Sequence, residues 1–123
     1  VVVVPGKNTG AFNNFSLLAL KRSEVKYDFM TYRSTRVVMV VKNIPWTISF
    51  ITMGSYAIEG EVKTLNINDI SPSNPNYPYQ QVFSYVTKGE PCCDALKLID
   101  FTFSEQGRKI LTESGMTPIE RKK

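Results

Sequence analysis

The chain contains no histidine. That removes the commonest general base and the commonest metal ligand, and with them His-dependent catalytic triads and most zinc and non-haem iron sites. Cysteine is scarce: Cys92 and Cys93 are the only two, and they are adjacent. A disulfide between neighbours is strained, and two successive thiols cannot complete a four-ligand metal site. The pair is therefore read as reduced, buried, small apolar residues, and neither metal nor cofactor is expected. No apolar run approaches the roughly 20 residues of a membrane span, and no charged-then-apolar leader is present. Val1 in place of Met reads as the start of a processed or trimmed product.

What remains is a globular composition. Its 123 residues suffice for one domain, or for one lobe of something larger. Hydrophobic residues make up 42% and charged residues 21%, enough to bury a core and too balanced for a disordered, collagen-like or coiled-coil chain. The net charge of +4 is spread along the sequence, with dense points only at Lys21-Arg22 and Arg121-Lys122-Lys123. Such a balance accommodates an anionic ligand and gives no reason to expect nucleic acid. The basic tail reads as a solvated end.

The β-branched run Val1 to Val4 stops at Pro5-Gly6, the pattern of a strand buried on both faces and entering a turn. Lys7-Asn8-Thr9-Gly10 then leads into Phe12, Phe15, Leu18 and Ala19 at helical spacing, with Asn8 or Thr9 as N-cap. A short strand is expected within Lys21 to Thr35. Val37 to Val41 has strand-forming residues but is followed by Lys42-Asn43-Ile44-Pro45, a plausible helix exit, and periodicity alone leaves both open. Ile48 to Ile51, closed by Gly54, reads as a strand with Trp46 and Phe50 in the core. Glu61 to Ile67 and Val82 to Val86 both alternate as strands do. Asn68 to Pro78 is a loop by composition, and Tyr77, Tyr79 and Tyr85 read as ordinary strand packing, with a partner surface as the alternative. Pro91 opens the clearest helix, with Cys92, Ala95, Leu96, Ile99 and Phe103 on one stripe. Ser104 caps a second helix ending near Ser114-Gly115. This order of elements predicts a mixed α/β layer domain.

Chemistry concentrates at the polar turn between the first strand and the first helix. Backbone N–H groups there face outward at the positive end of a helix, a ready site for an oxyanion. Thr9 adds a hydroxyl, Gly10 permits close approach, and Lys7 is the nearest cation. Asn8-Thr9 also reads simply as a helix cap. The turn lacks the Lys-Ser/Thr pair of a Walker loop and the spaced glycines of a dinucleotide fingerprint. Asp94 and Asp100, six apart on one helix, are not aligned as a catalytic pair.

Several stretches together resemble the C-terminal half of the phosphate-binding proteins of ABC importers, a family of type-II periplasmic binding proteins. Asn8-Thr9-Gly10-Ala11-Phe12-Asn13-Asn14-Phe15 falls on the family's GSGTRxxF motif. Ser34-Thr35 with Val37-Val38, then Asn43-Ile44-Pro45-Trp46-Thr47-Ile48-Ser49-Phe50, is similar to its helix and NPGAIGY strand. Val62 to Ile67, Tyr77-Pro78 and Tyr85-Val86-Thr87-Lys88-Gly89 resemble the segment returning through the hinge. Ala95 to Phe101, Ser104-Glu105-Gln106-Gly107 and Ser114-Gly115-Met116-Thr117-Pro118-Ile119 resemble the closing AxxFIDFxLSPEGQ and GYxPI pattern.

The resemblance implies one α/β lobe over residues 1–123, with a mixed sheet flanked by helices. Its strand-turn-helix opening is at 1–20, its hinge-return segment at about 77–89 and its C-terminal helices at 91–115. It implies a solute-binding protein outside the cytoplasmic membrane that holds phosphate or a related oxyanion and delivers it to an ABC permease. A first lobe, absent from this chain, or a second copy would close the crevice. Ligand-binding residues would be Lys7, Asn8, Thr9, Gly10, Ala11 and Ser34. Thr9 stands at the family's Ser and Gly10 at its Gly, so both chemistries survive. Ala11 replaces Thr, Phe12 replaces the Arg of many members, Pro5 lies near another Arg position, and Gln81 replaces an Arg of the hinge. No arginine of these motifs remains to fork onto a phosphate. Trp46 takes a position where the family has Gly, which would let it cover the crevice. Two other classes stand beside this one. The first is an interaction or structural module that keeps the fold with a degenerate pocket. The second is an enzyme, disfavoured because no general base or partnered nucleophile is visible.

Overall fold

Val3 and Val4 are both fully buried. Successive strand residues point to opposite faces, so both faces of this strand are covered, as a β-branched run predicts. A computed structural model describes residues 1–53 and 62–121, apart from the side chain of Ser34. The chain is mixed α/β and divides into two compact units, Val1–Gln81 and Val82–Lys123, with the division inside the 77–89 segment.

In the first unit, β1 (Val3–Pro5) pairs in parallel with β2 (Phe29–Thr31), in the register Val3 to Phe29, Val4 to Met30 and Pro5 to Thr31. On the other side of the first strand, an isolated parallel bridge joins Val2 to Ile48. The Val3 N–H donates to Ile48 O at 3.0 Å, and the Ile48 N–H donates to Val1 O at 2.9 Å. The first strand is thus central, flanked by backbone on both edges.

Helix α1 (Gly10–Leu18) crosses from β1 to β2, and α2 (Ser34–Asn43) follows β2. The second helix settles the segment that periodicity left open. Val37 and Val38 are buried, and both helices pack on β1. The gain from burying two valines outweighs the few tenths of a kcal/mol by which β-branched residues disfavour a helix. Ala11 completes the apolar core of Val3, Val4, Val37 and Val38. Phe15 stacks on Phe50 at 3.9 Å between ring centroids, and Phe12 lies 6.2 Å from the same ring.

The second unit carries α3 (Cys93–Phe103) and α4 (Glu105–Glu113), packed on each other. The Ser104 Oγ accepts from the Gly107 N–H at 3.2 Å, and Gly115 has a φ of 76°, the left-handed ending that its position predicts. Leu96, Ile99 and Phe103 are half-buried, but no residue of α3 is fully buried.

Several expectations need correction. Cys92 and Cys93 are exposed free thiols rather than buried apolar residues. Their place at the solvated start of α3 outweighs the usual preference of cysteine for the interior. Trp46 is 94% exposed rather than in the core, and its φ of 61° turns the ring out while its carbonyl accepts from the Val1 ammonium at 2.8 Å. Ile48 to Ile51 contributes one bridge residue instead of a strand. Val62 to Ile67 forms no ladder, and Ile67 instead closes a tight turn with Ile70. Val82 to Val86 lies outside any ladder and is exposed throughout. In the last two segments the alternation is real, but among the described residues no strand pairs with either. Gly54, Glu61 and Lys122-Lys123 lie outside the described residues. Among the described residues no helix is long and apolar enough to cross a membrane.

Candidate functional site

The first strand runs directly into the polar turn. The Thr9 N–H donates to Gly6 O at 2.9 Å and the Thr9 hydroxyl donates to the same oxygen at 2.7 Å. The Thr9 Oγ1 then accepts from the Phe12 N–H at 3.2 Å, so Thr9 rather than Asn8 is the N-cap. The single hydroxyl proton is thereby committed within the turn. Gly6 is buried beneath it, and a Cβ there would lie 3.0 Å from Asn8 Oδ1 and 3.4 Å from Thr31 O. Among the described residues, the N–H groups of Gly10 and Ala11 meet no acceptor. They are the outward donors of the first turn.

A second donor reaches the same place. The Thr52 hydroxyl donates to Gln81 Oε1 at 2.8 Å, which fixes the orientation of that carboxamide. Its nitrogen is turned toward Gly10, where a Cβ would lie only 2.6 Å from Gln81 Nε2. Asn14 ties the neighbouring backbone down, its Nδ2 donating to Gln80 O at 3.4 Å. A neutral amide donor therefore stands against the start of α1.

The parallel register brings a second helix start to the same edge. Because Pro5 and Thr31 are paired, the turns after β1 and β2 leave the sheet side by side, and α1 and α2 both begin there. In open α/β sheets this carboxyl edge is where ligands bind. Arg33 is the N-cap residue of α2 and Arg36 lies in its first turn. Both line an open depression of about 480 Å³ with Met30, Thr31, Tyr32 and Val40. Lys7 lines another, of about 350 Å³, with Phe12, Ser23, Glu24, Val25 and Tyr27. Two positive helix ends and three cations at one sheet edge can hold an anion by N–H donation and point charge.

Lys7, Asn8 and Gly10 are thus exposed at this edge, and Thr9 is half-buried as the cap. Ala11 is buried by its methyl, leaving only its N–H for a ligand. Ser34 is the first residue of α2, but its side chain lies outside the described residues. Arg33, Arg36 and Thr52 gave no signal in the sequence, because only the parallel pairing of β1 with β2 brings the arginines to this sheet edge, and only the bond to Gln81 ties Thr52 to the start of α1. Tyr77 has its hydroxyl pKa raised above the ordinary 10.0, first by burial and second by the charge of Tyr79, whose ring meets it edge-on at 5.8 Å. Among the described residues no group of three or more Cys, Asp or Glu could hold a metal ion. Compared with protein-family models, curated proteins and solved structures, the chain finds no match.

Proposed function

We propose that this chain is the ligand-binding lobe of a solute-binding protein serving an ABC-type importer, holding phosphate or a related oxyanion non-covalently. The observation that carries the reading is the sheet edge where α1 and α2 both begin, with unpartnered N–H groups at Gly10 and Ala11, Lys7 lining one depression and Arg33 and Arg36 lining another. The ligand is captured by donors and charge alone, so the protein is not an enzyme in this reading and needs no cofactor. Its partners are a permease and a closing lobe or second copy, and it works outside the cytoplasmic membrane.

Affinity follows from the geometry. The edge is open and its cations are exposed, and exposed charge contacts contribute at most about 1 kcal/mol each. A handful of such contacts corresponds to roughly millimolar binding. Calorimetric titration with phosphate, sulfate and a carboxylate panel at low salt should give saturable, millimolar binding of the tetrahedral oxyanions. Phe12→Arg should tighten it by returning a bidentate donor to the lip of the Lys7 depression. Micromolar affinity in the unmodified chain, or no gain in the variant, would show that the turn is wrongly matched to an oxyanion site.

One observation favours a second reading, a module that keeps the fold with a degenerate pocket. The Gln81 carboxamide lies against Gly10, so a protein atom occupies part of the space over the helix start. On that reading neither phosphate nor sulfate gives saturable heat, and Phe12→Arg changes nothing.

A further inference from the structure

Val82-Phe83-Ser84-Tyr85-Val86 is a chemical palindrome, valine and aromatic on either side of a central serine. Its large side chains stand in solvent: Val82 is 74%, Phe83 63%, Tyr85 52% and Val86 92% exposed. Among the described residues, no backbone N–H or C=O of the segment makes a hydrogen bond, so its whole ladder capacity is free. It is anchored at one point, where the Tyr85 hydroxyl and Thr102 Oγ1 of α3 lie 2.6 Å apart. No charged residue occurs between Asp69 and Lys88, so nothing of one sign repels a like segment.

We propose that Val82–Val86 is a homotypic docking strand that pairs antiparallel with the same segment of a second copy of this chain, about a twofold axis through Ser84. In that register Phe83 faces the partner's Tyr85 and Val82 faces the partner's Val86. Each such aromatic or β-branched cross-strand pair is a favourable one, and the symmetry supplies every pair twice. Exposed, uncharged, unpaired edges are the templates for strand addition. The second unit also needs the cover. Among its described residues no hydrophobic side chain is fully buried, its two cysteines are free and it has no metal cluster. Units of about 40 residues lacking such staples usually rely on association. Leu98, 55% exposed, lies one helical turn before Thr102, whose hydroxyl donates to its carbonyl. The proposal does not depend on oxyanion binding.

The test uses the full chain in a Cys92→Ser/Cys93→Ser background. Sedimentation equilibrium should show a reversible dimer, and Ser84→Pro, which deletes the central N–H of both strands, should raise its dissociation constant at least about tenfold. Because that variant also stiffens the chain, register is tested separately by mild oxidation. Ser84→Cys places two thiols on the twofold axis and should give a covalent dimer. Thr87→Cys puts them roughly 20 Å apart and should not. A monomer at all concentrations, a dimer indifferent to Ser84→Pro, or equal cross-linking at both positions would overturn the proposal.

Discussion

At Gly10 a methyl group would meet the Gln81 carboxamide nitrogen at 2.6 Å, the free end of a flexible side chain. At Gly107 it would meet backbone: the carbonyl of Phe101, and Thr102 Cα and O, both at 2.9 Å. The two positions should therefore respond in opposite ways. Gly10→Ala should change stability by less than about 1 kcal/mol, since alanine favours the helix while Gln81 swings away from Thr52. Gly107→Ala should cost about 3 kcal/mol or prevent the α3–α4 corner from forming, because backbone there cannot yield. Chemical denaturation of both variants checks the contrast. Tyr77 supplies a pH dependence. Its hydroxyl pKa is raised in the folded chain, so the unfolded chain loses its proton first as pH rises. Its contribution is complete below pH 10 and is lost as pH climbs through the folded value. Titration of phenolate absorbance should lose a late component in Tyr77→Phe, and the stability of that variant should fall less steeply above pH 10.

Among the elements, α2 was the least legible. Its valines suit a strand, and only burial against β1 decides for the helix, a fact of tertiary packing that no local pattern contains. The helical face is then a quantitative claim. Val37→Ala should cost about 2 kcal/mol through lost burial and a residual cavity, while Met39→Ala, at a position 63% exposed, should cost under about 0.5 kcal/mol. Equal losses from thermal unfolding would mean that the helix is rotated. By contrast α1, α3 and α4 were legible because their signals are local: Asn8 or Thr9 and Ser104 as caps, Gly115 as terminator, and apolar residues at helical spacing. The alternating stretches misled for the opposite reason. Alternation tells which residues would share a face, but a ladder needs a neighbour, and among the described residues Val82 to Val86 pairs with none.

For the whole molecule, the strand-turn-helix opening and the mixed α/β class were open to reading, and so was the place of Thr9 and Gly10 at the head of a helix. The site was only half legible. Lys7 to Ala11 form a continuous stretch, whereas Arg33 and Arg36 arrive by a parallel pairing, and Thr52 and Gln81, 29 positions apart, meet by a side-chain bond. The polar turn itself, Lys7 to Ala11, contains no arginine. The fold places two, from the start of α2, at the same sheet edge. The central claim is that this edge holds an oxyanion, and the most direct measurement is an amide chemical-shift titration of the full chain with phosphate, against chloride at matched ionic strength. The account predicts saturable shifts centred on Gly10, Ala11 and Arg36, with a dissociation constant of roughly a millimolar, weakened several-fold in Arg33→Gln/Arg36→Gln. Shifts scattered over the surface without saturation, or saturable shifts that spare the starts of α1 and α2, would contradict it.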